Sequence, residues 1–566
     1  MPTWTTACPD WAERLQAGKS IIPPPIFPEE AEAGLAVMRD LRIVDAPGSP
    51  RMEESCGQWV FDLAATIFGA YDSQSGRRLI KEWFVMLPKK NFKSGLAASI
   101  MLTSLIRNWR RSAEFTILAP TKEVAENSFG PAKDMVSFQE DEDDEEGYSE
   151  LADLIHVQEH YKTLTHREMN AKLKVIAADA STTAGKKSVG LLVEELWLFG
   201  KQSNAKDMLR EAGGGLASRP EGFVIYITTQ SDEPPAGVFK EKLEYARKVR
   251  DGEIHDPQFM PIIFEHPPEM VRSEECLLLK NLPLVNPNLG YSVDEGFLQR
   301  EFQKAADEGK DSLRGFLAKY GNVEVGLKLR SDRWAGADHW LARGDRSLTL
   351  AELLKRSEVV TAGIDGGGLD DLLGLALTGR ERGTGNWLHW GRAWAHPSVL
   401  ERRMEIAPRL RDFEKVGDLV LVGRIGEDTA ELAAIIRQVY DHGLLPEKNA
   451  IGADQNGVTF NDALLDAEIP EDLIVGVSQG WRLGGIIKTV ERKLAEGTFL
   501  HGDQPLMAWS VGNARIEARA NGIVITKQAS GTAKIDPLMA LFDAAQLMAL
   551  NPSAGVRKIQ QGFVVM

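Results

Sequence analysis

Hydrophobic and polar positions follow a repeating pattern between residues 78 and 230. Five short apolar runs that favour strands, WFVML, FTILAP, VIAAD, VGLLVE and FVIYITT, are separated by helical or polar segments. After the first run, Leu96, Ile100, Leu105 and Trp109 recur at helical spacing. This alternation predicts an α/β domain with a mainly parallel sheet and crossover helices.

A second pattern begins at Glu358. Three consecutive strand patterns, VVTAGID, LLGLALTGR and WLHWGRAW, are joined by glycine-rich or polar turns. Helical and strand patterns then alternate up to a closing helix, DPLMALFDAAQLMAL. The second domain is therefore expected to be a mixed α/β sheet.

Length and composition fit this division. A chain of 566 residues exceeds one ordinary domain, and 43% hydrophobic with 26% charged residues excludes a disordered chain. We expect an N-terminal extension over 1–50, a first domain over 51–345 with a subdomain from about 233, a second domain over 356–552, and a tail over 553–566.

Composition also excludes several classes of protein. Cys8, Cys56 and Cys276 lie far apart without CxxC spacing, which supports neither a disulfide framework nor a zinc site. The chain has no signal-peptide pattern and no apolar run near the ~18 residues that span a bilayer, so we expect neither secretion nor membrane insertion. The net charge of −16 still allows a local groove that holds nucleic acid through metal ions and a few basic residues.

The segment LPKKNFKSG, residues 87–95, lies where the first strand gives way to a helix. Lys93 and Ser94 occupy the last two positions of the phosphate-binding pattern GxxxxGK[ST], whose lysine neutralises phosphate oxygens and whose hydroxyl binds Mg²⁺. Leu87 and Phe92 stand where that pattern has glycine. From this segment alone, a phosphate loop and a basic loop that caps a helix are equally open.

Two further strand ends carry polar groups. VGLLVEELW ends in Glu194 and Glu195, which suit NTP hydrolysis if the first acid holds Mg²⁺ and the second orients the attacking water. The alternative is a helix whose first turn takes Glu for its dipole. FVIYITTQSD ends in Thr228, Thr229 and Gln230, which could sense the γ-phosphate or simply cap the strand.

Three aspartates end or begin separate elements of the second domain. Asp365 follows a strand in GIDGGGLDD, Asp454 follows another in GADQNG, and Asp536 opens the closing helix. Carboxylates that converge repel one another unless divalent cations neutralise them, and two such ions ~4 Å apart drive phosphodiester cleavage. Each aspartate alone could be a cap or a turn former, whereas the set favours a metal site. Asp371 and Asp543 are the nearest replacements.

In their joint order these motifs resemble the large terminase subunit of tailed bacteriophages. The resemblance runs from about Gln58 to Leu550 and rests on LPKKNFKS, LLVEELW, ITTQS, NPNLG, GIDGGGLDD, GADQNG and KIDPLMALFDAA. It implies an N-terminal ASCE-type P-loop ATPase domain that pumps DNA into a preformed capsid. It also implies a C-terminal RNase H-like nuclease domain that cuts concatemeric DNA.

The resemblance also implies roles for individual residues. Lys93 and Ser94 would bind the phosphates and metal, beside the loop residues Lys89, Lys90 and Asn91, and Gln58 would be the glutamine that reads adenine. Glu194 would be the Walker B acid, Glu195 would be the catalytic glutamate, and the coupling motif would consist of Thr228, Thr229 and Gln230. The nuclease triad would consist of Asp365, Asp454 and Asp536. The chain departs from the family at Phe92, where glycine is usual, and at Glu194, where aspartate is usual.

The implied cofactors are ATP and Mg²⁺, with Mn²⁺ as an alternative at the nuclease site. The implied partners are double-stranded viral DNA, the small terminase subunit, the capsid portal protein and further copies of the chain. The resemblance also implies that the chain acts as a pentamer on the portal, in the host cytoplasm and not at a membrane. Two other functions stay open: a helicase-like repair ATPase with an attached nuclease, and a non-catalytic DNA-binding assembly protein.

Overall fold

The protein divides into two compact units, Met1–Gly326 and Leu327–Met566. The structure is a computed structural model that describes residues 4–138, 150–178, 188–202, 204–324, 334–454, 460–519, 522–527 and 534–555. Among the helices of these residues, none is long and apolar enough to cross a membrane.

The first unit is built from helices around one large sheet. Its helices are α1 Trp11–Gln16, α2 Pro28–Asp40, α3 Met52–Ser55, α4 Gln58–Phe68, α5 Lys93–Ile106, α6 Lys122–Ser137, α7 Glu150–Leu154, α8 Leu196–Phe199, α9 Ala205–Gly214, α10 Gly237–Arg250, α11 Pro268–Arg272, α12 Glu295–Glu308 and α13 Lys310–Gly321. Its strands are β1 Tyr71–Asp72, β2 Arg77–Arg78, β3 Glu82–Met86, β4 Glu114–Ala119, β5 Ile155–Gln158, β6 Thr163–His166, β7 Ala171–Ala177, β8 Ser188–Glu194, β9 Phe223–Thr228 and β10 Phe259–Ile263.

The large sheet has the order β10-β3-β9-β8-β4-β7-β6-β5. Neighbours from β10 to β7 are parallel, and the last two pairings are antiparallel. The predicted mainly parallel α/β sheet is therefore confirmed. Strand β9 lies between β3 and β8, as in the ASCE-type arrangement, so the carboxyl ends of these three strands are adjacent.

The N-terminal segment is part of this unit's core rather than an appendage. Trp11, Leu15 and Met38 belong to the same buried cluster as residues of α4 and α5. The predicted apolar face of α5 holds for Leu96, Ile100 and Leu105, but Trp109 differs, since it lies beyond the helix end at Ile106 and is 54% exposed.

The second unit carries a mixed sheet. Its helices are α14 Ala337–Trp340, α15 Leu350–Arg356, α16 Ser398–Arg402, α17 Ala407–Lys415, α18 Glu427–Asp441, α19 Asn461–Asp466, α20 Gly484–Glu496, α21 Pro505–Asn513 and α22 Asp536–Met548. Its strands are β11 Ser357–Gly366, β12 Leu373–Glu381, β13 Trp387–Ala395, β14 Leu419–Leu421, β15 Ile451–Asp454, β16 Ile474–Val477, β17 Phe499–His501, β18 Ala514–Arg519 and β19 Gly522–Lys527.

The order of the second sheet is β14-β13-β12-β11-β15-β16, with β17 also paired to β13. Strand β12 pairs antiparallel with both of its neighbours, β11 and β13, whereas β15 and β16 continue parallel to β11. This is the predicted mixed sheet with RNase H-like strand order. The sequence predicts that the first domain runs to residue 345, but Trp334 and Trp340 are buried in the core of the second unit.

Helix α22 lies directly on strands β11 and β12. A Cβ atom added to Gly363 would lie 2.0 Å from the Ala540 carbonyl oxygen, and one added to Gly374 would lie 3.0 Å from Pro537. Glycine at these two strand positions therefore permits the close approach of the helix that begins at Asp536.

Candidate active sites

The loop between β3 and α5 turns where the phosphate-binding pattern expects glycine. Phe92 adopts φ 54° and Lys90 adopts φ 73°, in the left-handed region that is uncommon for residues with a side chain. The Phe92 ring packs over Gly95, where an added Cβ would lie 2.3 Å from ring atom Cε2. This loop therefore has its glycine at Gly95, three residues after the position where the pattern expects it, and the missing side chain there makes room for the Phe92 ring.

A second segment, residues 286–292, clamps this loop. The buried Asn91 amide donates to Asn286 Oδ1 at 2.7 Å, and Asn91 Oδ1 accepts from the Asn288 main chain at 3.0 Å. Ser292 donates to the Lys90 carbonyl at 2.6 Å. The sequence predicts Asn91 as a nucleotide ligand, but its polar atoms hold the loop on the NPNLG motif. Lys89 and Lys90 have exposed side chains.

Lys93 begins α5 and is buried, at 7% exposure. Its ammonium donates to the Pro88 carbonyl at 3.2 Å and lies 3.9 Å from Glu195 Oε1. Burial lowers the pKa of Lys93, and the carboxylates of Glu195 and Glu194 oppose that shift. The cation is therefore held beside the two acids predicted for hydrolysis.

Glu194 ends β8 and is 1% exposed. Ser94 donates to its Oε1 at 2.7 Å, and the buried hydroxyl of Ser128 on α6 donates to its Oε2. Burial, reinforced by the charge of Glu195, raises the pKa of Glu194 to about 7. A hydroxyl oxygen next to a carboxylate is the donor set that Mg²⁺ prefers, so these residues fit the implied metal.

Glu195 follows directly, with φ 52° at the start of α8. Its Oε2 accepts from Trp197 Nε1 at 2.7 Å and from Thr229 Oγ1 at 3.3 Å. Thr228 Oγ1 in turn accepts from the Trp197 main chain at 3.1 Å. The predicted catalytic glutamate is thus hydrogen-bonded to the predicted coupling segment.

Two glutamines complete the predicted nucleotide set. Gln230 is buried, its Oε1 accepts from the Ser231 main chain at 2.9 Å, and its Nε2 has no hydrogen-bond partner among the described residues. Gln58 is exposed and donates to Asp62, one helical turn on, at 2.9 Å. Its role as an adenine ligand stays a prediction.

In the second unit, Asp365 lies near the end of β11, before three glycines with φ between 87° and 125°. Gly366 approaches the closing helix, since a Cβ added there would lie 3.1 Å from Asp536 Cβ. Strand β15 pairs beside β11 with Ile364 opposite Ala453, so the next residues, Asp365 and Asp454, come level at the strand ends. The side chain of Asp454 lies outside what the structure describes.

Asp536 is the first residue of α22, and its Oδ2 is buried without a hydrogen-bond partner among the described residues. Burial raises the pKa of Asp536 well above its usual range, and the carboxylates of Asp371 and Asp365 raise it further. Within the described residues, no group of three or more histidine, cysteine or acidic side chains is arranged to hold a metal ion. A buried carboxylate oxygen left without a partner nevertheless fits a cation ligand.

The two replacement aspartates behave differently. Asp371 pairs with the buried ammonium of Lys534, so it belongs to the cluster around Asp536. Asp543 is buried within α22 and accepts from Gln479 Nε2 at 3.1 and 3.2 Å. Sequence reasoning missed Lys534, although its place two residues before Asp536 was a signal. It also missed Ser128, which belongs to no motif that could have pointed to the site.

One curated protein resembles this chain over most of its length, although no protein-family model matches it. The chain is 22% identical over 501 residues to the large terminase subunit of Enterobacteria phage HK97, across 86% of this chain and 88% of that protein.

Among solved structures, the HK97 large terminase is 19% identical, with 91% of this chain and 99% of that chain covered and a TM-score of 0.47. The large terminase of a thermophilic bacteriophage, solved in complex with ADP, is 12% identical, with 84% and 94% covered and a TM-score of 0.31. The curated sequence relative confirms that this chain resembles the large terminase subunits of bacteriophages.

Proposed function

We propose that this chain is a large terminase subunit. Its first unit hydrolyses ATP to drive viral double-stranded DNA into a capsid, and its second unit cuts concatemeric DNA. The observation that carries the proposal is the 2.7 Å hydrogen bond between Ser94 and Glu194, which joins two motifs 100 residues apart in the chain. The HK97 relative, named a large terminase subunit, supports the same assignment.

In the first unit, the main-chain N–H groups at the start of α5 and the Lys93 ammonium bind phosphate oxygens. Ser94 and Glu194 would hold Mg²⁺, which neutralises charge that develops on the transferred phosphoryl group. Glu195 orients the attacking water, and the bonds from Trp197 and Thr229 fix the direction of its carboxylate. When the γ-phosphate is lost, a change at Glu195 is transmitted through its hydrogen bond with Thr229 to the residues that follow β9.

In the second unit, Asp365, Asp454 and Asp536 would hold two divalent ions, Mg²⁺ or Mn²⁺, which polarise the scissile phosphate and activate water. The glycines after Asp365 leave room for the DNA backbone. Burial of Asp536 Oδ2 keeps bulk water away from that oxygen, which strengthens its interaction with a bound cation.

The partners follow from the same proposal. They are viral DNA, a small terminase subunit and the capsid portal protein, with the chain acting as a pentamer on the portal in the host cytoplasm. Exposed Lys488 on α20 is available to contact DNA phosphates, whereas Arg492 on the same helix pairs with Glu496 at 2.6 Å.

Separate loss of the two activities tests the proposal. Glu195→Gln is expected to abolish DNA-stimulated ATP turnover and leave Mn²⁺-dependent plasmid cleavage intact, and Asp365→Asn is expected to do the reverse. Glu211→Gln and Asp466→Asn remove exposed carboxylates and serve as matched controls.

Three outcomes would contradict the proposal. Loss of both activities in one folded variant would contradict two separate sites. Separation of a forked duplex by the wild type would favour the helicase-like repair enzyme. Absence of ATP turnover with DNA present would favour the assembly protein.

A further inference from the structure

Lys534 is a buried cation next to the acids of the second unit. The residue is 1% exposed, and its ammonium forms an ion pair with Asp371 and donates to the Asp370 carbonyl at 3.0 Å. An ammonium removed from water is tolerated in a fold only when it is paired and hydrogen-bonded, as it is here.

The surrounding charge explains why a cation is needed at this place. Asp371 pairs with the Lys534 ammonium, and a Cβ added to Gly366, next to Asp365, would lie 3.1 Å from Asp536 Cβ. The Oδ2 of Asp536 is buried and has no hydrogen-bond partner among the described residues. Carboxylates gathered in this way repel one another, and the repulsion is strongest when no metal ion is bound. Lys534 supplies one positive charge from inside the protein.

The same geometry argues against a role in holding DNA. Both bonds of the Lys534 ammonium are made to this chain, and the side chain has almost no contact with solvent. Lys534 also lies two residues before Asp536, so its charge is tied to the residue that opens α22.

We propose that Lys534 is the internal counter-charge of this carboxylate cluster, which keeps Asp371 and Asp536 together while the site is free of metal. When divalent cations bind, they and Lys534 together neutralise the acids. The inference rests on the nuclease function proposed above, and it assigns Lys534 as a positioning residue.

The test measures thermal unfolding of the full chain in EDTA and in millimolar MnCl₂. Lys534→Met removes the charge with little change in volume, and Lys488→Met does the same on the exposed face of α20. In EDTA, Lys534→Met should lower Tm by on the order of 5 °C or more, because Asp371 loses its ion-pair partner and the carboxylates near Asp536 lose their counter-charge. Mn²⁺ should then raise the Tm of Lys534→Met more than that of the wild type.

A double variant isolates the pair. Asp371→Asn combined with Lys534→Met removes both charges and should regain at least half of the lost Tm in EDTA. If Lys534→Met alone does not fold, recovery of folded protein in the double variant supports the counter-charge, and failure to recover it overturns the counter-charge.

Two further results would overturn the inference. One is an equal Mn²⁺ shift in Lys534→Met and the wild type, with no rescue by Asp371→Asn. The other is an unchanged Tm with weakened DNA binding in EDTA, which would make Lys534 a DNA contact. Wild-type protein that neither cuts plasmid nor responds to Mn²⁺ would instead defeat the nuclease function, while the EDTA comparison would still decide the role of Lys534.

Discussion

Replacing Glu194 by glutamine should stabilise the metal-free protein above neutral pH. Glu194 is fully buried, and burial raises its pKa from the ordinary 4.5 to about 7. Ionised Glu194 therefore opposes folding, although the proposed metal site requires that charge. Glutamine keeps the shape, and the hydroxyls of Ser94 and Ser128 can either donate or accept.

The size of the effect follows from the two pKa values. Between pH 4.5 and about 7 the folded protein holds a proton that the unfolded chain has released, so stability falls as pH rises through this window. A difference of about 2.5 pKa units corresponds to about 3 kcal/mol, all of it felt above pH 7. At pH 5 the same relation leaves less than about 1 kcal/mol.

The assay is denaturant unfolding of the full chain in EDTA at pH 5 and pH 8, followed at the transition of the first unit. Glu194→Gln should gain about 3 kcal/mol over the wild type at pH 8 and little at pH 5. Glu211→Gln on the exposed face of α9 should change neither value. A variant no more stable than the wild type at pH 8, or one with the same gain at both pH values, would refute the reasoning.

Three other predictions follow from the same structure. Trp197→Phe removes the N–H that donates to Glu195 but keeps an aromatic side chain, so ATP turnover should fall about tenfold. ATP affinity in a nucleotide-binding assay should stay the same, and an unchanged turnover would show that other contacts orient Glu195. Gly363→Ala places a methyl group 2.0 Å from the Ala540 carbonyl and should lower the Tm of the second unit by several degrees, whereas Gly485→Ala in α20, with open space around it, should be neutral or stabilising by up to ~1 kcal/mol. Gly95→Ala should weaken ATP binding because it collides with the Phe92 ring, and Phe92→Gly in the same chain should restore binding; failure of that rescue would mean that the ring does not set the loop.

Much of the fold was predictable because apolar runs and helical periodicity are local signals. The strands that contain Phe84, Ile117 and Val193 were found in this way, as was the antiparallel trio of the second unit. Strand β10 and the pair β5–β6 were not predicted. Strand β10 pairs with β3, which lies far away in the sequence, and β5 and β6 are only four residues long, too short to give a clear strand pattern.

The site was predictable in part for a related reason. Glu194 and Thr228 end the neighbouring parallel strands β8 and β9, and Ser94 lies at the start of the helix that follows β3, so motif order sufficed to bring them together. Ser128 and Trp197 reach the same site from helices, and no spacing rule links them to it. The nucleotide role of Asn91 stays a prediction; the sequence does not show that residues 286–288 hydrogen-bond to its side-chain amide.

The hydrogen bonds from residues 286–292 to the loop between β3 and α5 affect the order in which this region can fold during synthesis. Strands β3, β4, β8 and β9 all leave the ribosome before Asn286 and Asn288. The sheet can therefore begin to form while the Asn91 amide still lacks the two partners that set the loop. We therefore expect a nascent chain or proteolytic fragment that ends near residue 235 to contain Lys93, Glu194 and Glu195 without a fully shaped loop between β3 and α5, because the residues that hydrogen-bond to the Asn91 side chain lie about fifty residues further on.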